Sequence, residues 1–209
     1  RRQRQMCIRD RWKGLHYYAK RFYAPCLISC DDTDRKKPVL NISNERMTAF
    51  EGVVKWTLRN NKAEILQSGE KSVNIPALTA QNVLDIDLSQ ELVSRTDPRE
   101  KYLEYSIMEN GNVLSFGTTL FVRPKEFTFL EPAITYGISE SEDKFALTFC
   151  AENYAKSVCL SLKTADCVFS DNWFDIHGKE PVTIMIDKAS LSRKMTAQEL
   201  SRELEIMHN

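Results

Sequence analysis

Acidic side chains are the first residues in this sequence whose chemistry could support catalysis. Paired carboxylates can act as an acid and as a nucleophile or base in hydrolysis when a fold brings them together. Here the acidic residues that stand close in sequence fall in polar loops or at the outward positions of alternating strands, which predicts solvated side chains. These residues are Asp31, Asp32, Asp34, Asp85, Asp87, Asp171 and Asp175. We therefore expect no catalytic residues in this chain.

Residues 170–175, with the sequence SDNWFD, form the densest group of side chains that could bind a ligand. Trp173, flanked by the turn-forming residues Asp171 and Asn172, could be a platform on which a sugar ring stacks. Alternatively, the segment is a tight corner between strands. Phe174 would then lie in the core and Trp173 at an interface between domains, and we favour this second interpretation.

Composition and motif searches exclude several other kinds of site. Lys plus Arg number 29 and Asp plus Glu also number 29, so no overall charge favours nucleic acid or a membrane as partner. No phosphate-binding or dinucleotide motif occurs, the histidines are scattered, and the six cysteines include no Cys-x-x-Cys pair. We expect no cofactor, no metal site and reduced cysteines. No apolar run reaches the length of a membrane span.

An aromatic helix is predicted near the N-terminus. At about 100° per residue, the apolar and aromatic side chains of this segment fall on one stripe, as on a buried helical face. The members of this stripe are Trp12, Leu15, His16, Ala19, Phe22 and Tyr23. Pro25 disfavours helix at Ala24, so the helix should end there. Because almost everything after Pro25 is predicted as strand, the stripe needs a packing partner from elsewhere.

The rest of the sequence predicts an all-β chain. Alternating patterns recur at short intervals with turn residues between them, as in β-sandwiches. We predict two tandem immunoglobulin-like sandwiches, over residues 25–123 and 124–209, preceded by the helix at residues 11–24.

Two local signals predict details of these sandwiches. Asn110 and Gly111 favour a tight hairpin turn in the first sandwich. Thr196-Ala197-Gln198-Glu199 fits a capping box that opens a short helix near the end of the second. Leu204, beyond it, fits either that helix or a closing strand, and both interpretations stay open.

Residues 1–10, with the sequence RRQRQMCIRD, show no helical or strand periodicity. A basic arm for nucleic acid is one interpretation, but arginines without a predicted element are weak support for it. The run resembles translated sequencing-adapter DNA. We therefore set it aside as a non-native scar and expect native sequence from about Arg11.

Four motifs follow one another in an informative order. WKGLHYYAKRFYAP at residues 12–25 is the most specific, and FSDNWFD at 169–175 is the second. VNIPAL at 73–78 and FVRPKE at 121–126 stand between them. The first resembles the end of the catalytic barrel, the middle two a strand and an interdomain joint, and the last the C-terminal immunoglobulin-like domain, of β-mannosidases of glycoside hydrolase family 2.

This resemblance implies a (β/α)₈ barrel upstream of Arg11 that carries both catalytic glutamates, with the helix at residues 11–24 left over from it. The whole enzyme would hydrolyse terminal β-D-mannosides or manno-oligosaccharides with retention, using two carboxyl groups about 5–5.5 Å apart. This chain would be its non-catalytic C-terminal portion, and the missing barrel its partner. The alternative function is a carbohydrate- or protein-binding β-sandwich module anchored by Trp173. The compartment stays open between the cytoplasm and the periplasm of a bacterium.

Overall fold

The computed structural model describes residues 14–208 of the chain. It divides into two compact units. The N-terminal unit holds Lys20–Leu130, and the C-terminal unit holds residues 131–208 together with residues 14–19. The basic run at residues 1–10 and the predicted helix residue Trp12 lie outside the described residues. Among the described residues, no helix is long and apolar enough to cross a membrane.

Helix α1 spans Gly14–Phe22, so it ends before Pro25 as the sequence predicts. The buried residue of α1 is Tyr17, which the predicted stripe does not include. Of the stripe residues that are described, Ala19 is half-buried, and the others are exposed: Leu15, His16, Phe22 and Tyr23.

The N-terminal unit is an immunoglobulin-like sandwich of seven antiparallel strands. Its strands are β1 (Cys26–Asp31), β2 (Val39–Asn44), β3 (Phe50–Asn60), β4 (Ile65–Ile75), β5 (Thr79–Asp85), β6 (Lys101–Glu109) and β7 (Asn112–Leu120). One sheet has the order β1-β2-β5 and the other the order β4-β3-β6-β7. A short helix, α2 (Asp97–Glu100), precedes β6, and a 3₁₀ turn at Pro124–Glu126 follows β7.

The core of this unit comes from the alternation of apolar residues. On β3, Val54 and Leu58 are fully buried, and Trp56 packs against the same core while partly exposed. The alternation predicts a strand as far as Leu88, but β5 ends at Asp85. Ile86 and Leu88 stay buried because their N–H groups donate to the carbonyls of the loop before β2, over 3.0 and 2.8 Å.

The hairpin between β6 and β7 turns at the dipeptide that the sequence singles out. Asn110 has φ 51° and Gly111 has φ 81°. Two successive residues with positive φ match the type I′ turn, whose twist suits the flanking strands.

The C-terminal unit is a second immunoglobulin-like sandwich. Its strands are β8 (Thr135–Glu140), β9 (Lys144–Cys150), β10 (Ala155–Leu162), β11 (Phe174–Ile176), β12 (Val182–Asp187) and β13 (Leu204–Met207). The sheets have the orders β12-β9-β8 and β11-β10-β13, and every pairing is antiparallel. Phe145, Leu147 and Phe149 of β9 and Ile184 of β12 lie in the core between them.

The end of this sandwich combines both periods that the sequence suggests. Helix α3 (Ala197–Glu203) opens with a capping box in which the Thr196 hydroxyl accepts from Glu199 N–H and the Glu199 carboxylate accepts from Thr196 N–H. Leu204 then begins β13 directly, pairing with Leu162. The helix and the closing strand therefore follow each other without a loop.

Candidate functional site

The candidate site lies in the C-terminal unit, where the first turn of α1 meets the corner at residues 170–175. Trp173 is half-buried and adopts a positive φ of 57°, which turns the chain into β11. Its indole ring approaches the backbone of Gly14. A Cβ atom added at Gly14 would lie 2.9 Å from both Cε2 and Nε1 of Trp173. Only glycine admits this close approach of ring and helix without a shift.

Asn172 stabilises the corner from within. Its side chain is buried, and its Oδ1 accepts from Leu160 N–H over 2.8 Å and from Trp173 N–H over 2.9 Å. Its Nδ2 donates to the Leu160 carbonyl over 2.9 Å. The neighbouring Asp171 accepts from the Asn172 N–H over 2.9 Å. The Asn172 side chain and Asp171 Oδ1 therefore bond to backbone atoms of the corner and of β10.

Tyr17 attaches α1 to the same corner. The pKa of Tyr17 is raised to about 12, chiefly by burial and also by the nearby Cys167 and Asp171. Hydrogen bonds with the Asn172 side chain and the Phe169 backbone act in the opposite direction. The phenol is therefore neutral at ordinary pH and serves as a buried hydrogen-bonding group. One residue further along, Tyr18 Oη lies 3.2 Å from Ser157 Oγ.

Asp175, at the far side of the corner, is the centre of a polar cluster. Its Oδ2 accepts from Tyr154 Oη over 2.8 Å and lies 3.3 Å from Lys156 Nζ, while its Oδ1 accepts from Ser157 N–H over 2.8 Å. Burial acts to raise the pKa of Asp175, but Lys156, His177 and the two hydrogen bonds outweigh it, so the pKa is lowered. This carboxylate is ionised and fully engaged.

A cavity of about 220 Å³ borders the contact between α1 and the corner. Its lining includes Tyr17, Phe169 and Trp173. Among the described residues that line it, Asp166 supplies the single carboxylate. Hydrolysis of a glycosidic bond with retention needs two carboxyl groups about 5–5.5 Å apart. The lining therefore offers apolar surface and shape, not acid–base chemistry.

The comparisons with known proteins fit this architecture. A family model described as the mannosidase Ig/CBM-like domain matches residues 37–126. A second model, an Ig-fold domain of mannosidases, matches residues 129–209. The chain carries two mannosidase Ig domains. The two matches follow each other with residues 127 and 128 between them and cover both sandwiches. No curated protein sequence matches the chain at a significant level.

Solved structures share the fold of these mannosidase Ig domains. The β-D-mannosidase of Dictyoglomus thermophilum aligns with 95% of this chain at a TM-score of 0.77 and 16% identity. The exo-chitosanase CsxA of Amycolatopsis orientalis aligns with 92% at a TM-score of 0.57 and 13% identity. The alignments span 23% and 26% of those two proteins. This chain thus corresponds to about a quarter of each.

Tyr17 and Asp175 are the residues of the mannosidase Ig site that the sequence analysis misses. The predicted stripe on α1 is drawn from the spacing of apolar side chains, and Tyr17 lies outside that stripe. Its burial depends on a corner more than 150 residues away in the chain. The sequence pattern predicts a solvated Asp175, which is wrong, because β11 directs its side chain toward Tyr154 and Lys156. An acid between two apolar residues of a short strand, Phe174 and Ile176, was the signal available.

Within residues 14–208, no group of three His, Cys, Asp or Glu side chains could hold a metal ion. The five cysteines of this range are free thiols, and Cys150 and Cys159 do not pair. Burial raises the pKa of Cys30 to about 11, so its thiol is protonated and unreactive at neutral pH.

Proposed function

We propose that this chain is the non-catalytic C-terminal portion of a retaining β-mannosidase, whose two Ig domains support a catalytic barrel that precedes them. The observation that carries the proposal is the tandem match to two mannosidase domain models over residues 37–126 and 129–209. The fold shared with the Dictyoglomus thermophilum β-D-mannosidase supports it, since 95% of this chain accounts for only 23% of that protein.

The polar residues of the corner fit a structural role in such an enzyme. Asp175 is engaged by Tyr154, Lys156 and Ser157, and Asp171 by the backbone of Asn172. A catalytic acid needs a raised pKa and access to substrate, and Asp175 has a lowered pKa. Both catalytic carboxyl groups would come from the barrel.

Helix α1 would be the last helix of that barrel. Leu15 of this helix is 73% exposed, and Tyr23, which directly follows the helix, is 86% exposed. Large apolar groups exposed to this degree on one short segment are typical of a surface that a further domain covers. In this proposal the stripe packs against the barrel: Trp12, Leu15, His16, Ala19, Phe22 and Tyr23.

The geometry gives less support to a sugar-binding module anchored by Trp173. The indole contacts Gly14 of α1, and the amide of Asn172 is occupied by the Leu160 backbone. A sugar platform needs an open ring face with polar groups free to bond hydroxyls.

The gene upstream of Arg11 provides the first test. We expect an open reading frame that encodes a barrel with two glutamates. The purified chain should release no aryl group from aryl β-D-mannosides, whereas the extended protein should. Aryl β-D-glucosaminides are the control substrate, because the chitosanase shares the fold. Turnover by the chain alone, or a genuine start codon just before Arg1, would overturn the proposal, and turnover of the glucosaminide alone would reassign the substrate.

A further inference from the structure

The two sheets of the N-terminal sandwich meet differently at their two sides. On one side β1 lies against β7, and Ile28 N–H of β1 donates to Ser115 Oγ of β7 over 3.2 Å. On the other side stand β4 and β5, each the last strand of its sheet. Within residues 14–208, β4 pairs with β3 alone and β5 pairs with β2 alone. We refer to the side formed by β4 and β5 as the open side.

Strand β4 has the features of an edge to which a further strand could add. It is 11 residues long and contains no proline. Most of its side chains are exposed, among them Ile65 at 57%. In the part of the chain that the structure describes, the backbone groups of β4 that point away from β3 have no strand beside them. A long exposed edge of this kind pairs with another chain unless a feature of the fold prevents it.

Strand β5 contains a bulge at the open side. The register of its pairing with β2 shifts between residues 82 and 84, so Val83 has no partner residue in β2. The Val83 side chain is buried. Its carbonyl accepts a hydrogen bond from Lys71 Nζ of β4 over 2.7 Å. The Lys71 side chain therefore spans the gap between the two edge strands.

The strand register shows that Lys71 points toward the inside of the sandwich. Lys71 pairs directly with Val54 of β3, whose side chain is fully buried. Directly paired residues place their side chains on the same face of a sheet. The residue as a whole is nevertheless exposed, so water reaches its ammonium group. A strand added at the open side would take that water away or pull the ammonium group from the Val83 carbonyl, and a charge without water or a partner is costly.

We propose that Lys71 prevents the β4 strand of a second copy of this chain from pairing with β4 at the open side. A second copy is the relevant partner because two β4 strands can pair symmetrically, each offering the other the same edge. Lys71 lies near the middle of β4, so full overlap would bring two ammonium groups close together, and like charges oppose such pairing. This inference concerns the N-terminal sandwich alone and does not depend on the proposed function.

Substitutions at Lys71 in the purified chain test this inference. Lys71→Val removes the charge and the donor but favours a strand, Lys71→Gln removes the charge but stays polar, and Lys71→Arg keeps both charge and donor. Lys55→Val is the matched control, because Lys55 has the same charge and lies on the inner strand β3 with its side chain 50% exposed. Sedimentation equilibrium should show Lys71→Val associating at a concentration at least about tenfold lower than Lys55→Val or Lys71→Arg. Lys71→Gln should shift in the same direction, and it carries the test if Lys71→Val does not fold.

Amide hydrogen exchange identifies the surface through which the variants associate. We expect the β4 amides to exchange more slowly in associated Lys71→Val than in the parent chain, because pairing protects them. If the neutral variants associate no more than Lys55→Val, or if Lys71→Arg associates as Lys71→Val does, the inference is wrong. Association that leaves exchange in β4 unchanged would also overturn it, as would a parent chain that already forms a dimer with protected β4 amides.

Discussion

Gly14 and Trp173 fit together closely. The indole of Trp173 occupies space that a side chain at residue 14 would need, and glycine leaves that space free. The indole atoms stand 2.9 Å from the position that a Cβ would take. A methyl group there would force the ring or the helix to move, which overpacked sites resist. Alanine also favours helix over glycine by up to about 1 kcal/mol. The steric cost should exceed this gain, because an indole half-buried in a corner has little freedom.

We predict that Gly14→Ala loosens α1 from the C-terminal unit by about 1–2 kcal/mol. Amide hydrogen exchange at Tyr17 and Tyr18 would measure the change as faster exchange. Gly137→Ala is the control, since a Cβ at Gly137 meets no atom within 4 Å. Equal exchange rates in the two variants would show that the close approach does not matter.

At the scale of elements, strand β10 contains a bulge, and a side chain of β11 provides a hydrogen-bond acceptor for the amide that the bulge displaces. The pairing of the two strands shifts register between Ala155 and Val158, and Ser157 between them has a positive φ of 54°. Its N–H would lack a strand partner, but Asp175 accepts it over 2.8 Å. A bulge of this kind costs less when a charged acceptor satisfies the displaced amide.

We predict that Asp175→Asn lowers the free energy of unfolding of the C-terminal unit by about 2 kcal/mol at pH 7. Because the pKa of Asp175 is lowered in the folded state, its contribution is fully present above the unfolded value of about 3.9. It is lost as the pH falls through the folded pKa. Denaturation followed from pH 7 down to pH 2 should show the parent converging on the variant below about pH 4. A difference independent of pH would contradict the assignment.

Elements with local signals could be predicted from the sequence, and elements defined by distant contacts could not. The capping box at Thr196 and the turn at Asn110 and Gly111 act within a few residues, and both are present as predicted. The end of β5 depends instead on hydrogen bonds from the loop before β2. The alternation of apolar residues continues past that end because burial continues after pairing stops.

The candidate site was predictable only in part for the same reason. The burial of Phe174 follows from its apolar character, and the sequence analysis predicts it. The docking of Tyr17 and the charge cluster around Asp175 each join segments that are separate in sequence. No period in a single sequence reports such contacts.

At the scale of the whole molecule, each unit has its own core and exposes several large apolar side chains. The buried residues form two separate clusters, one in each unit. Leu15 and Tyr23 are among the most exposed apolar residues of the described chain. Side chains of this kind promote association between molecules when no domain covers them.

We predict that Leu15→Glu combined with Tyr23→Glu raises the concentration at which the purified chain aggregates, while its midpoint of thermal unfolding stays unchanged. Light scattering over a concentration series would measure this. Added negative charge alone improves solubility, so the control is Ser29→Glu with Ser139→Glu, which adds the same charge at exposed polar positions. If the control gains as much, the apolar side chains are not the cause.

The Asn172 side chain also affects how the pairing between β10 and β11 ends. Strand β11 begins at Phe174, which pairs with Val158, and the Leu160 backbone of β10 would otherwise remain open beyond that end. The Asn172 amide supplies one acceptor and one donor to that peptide, as the backbone of an adjacent strand residue would. A single side chain thus takes the place of one strand residue in the hydrogen-bonding pattern. It occupies backbone groups at the edge of β10 to which a strand from another molecule could otherwise bind.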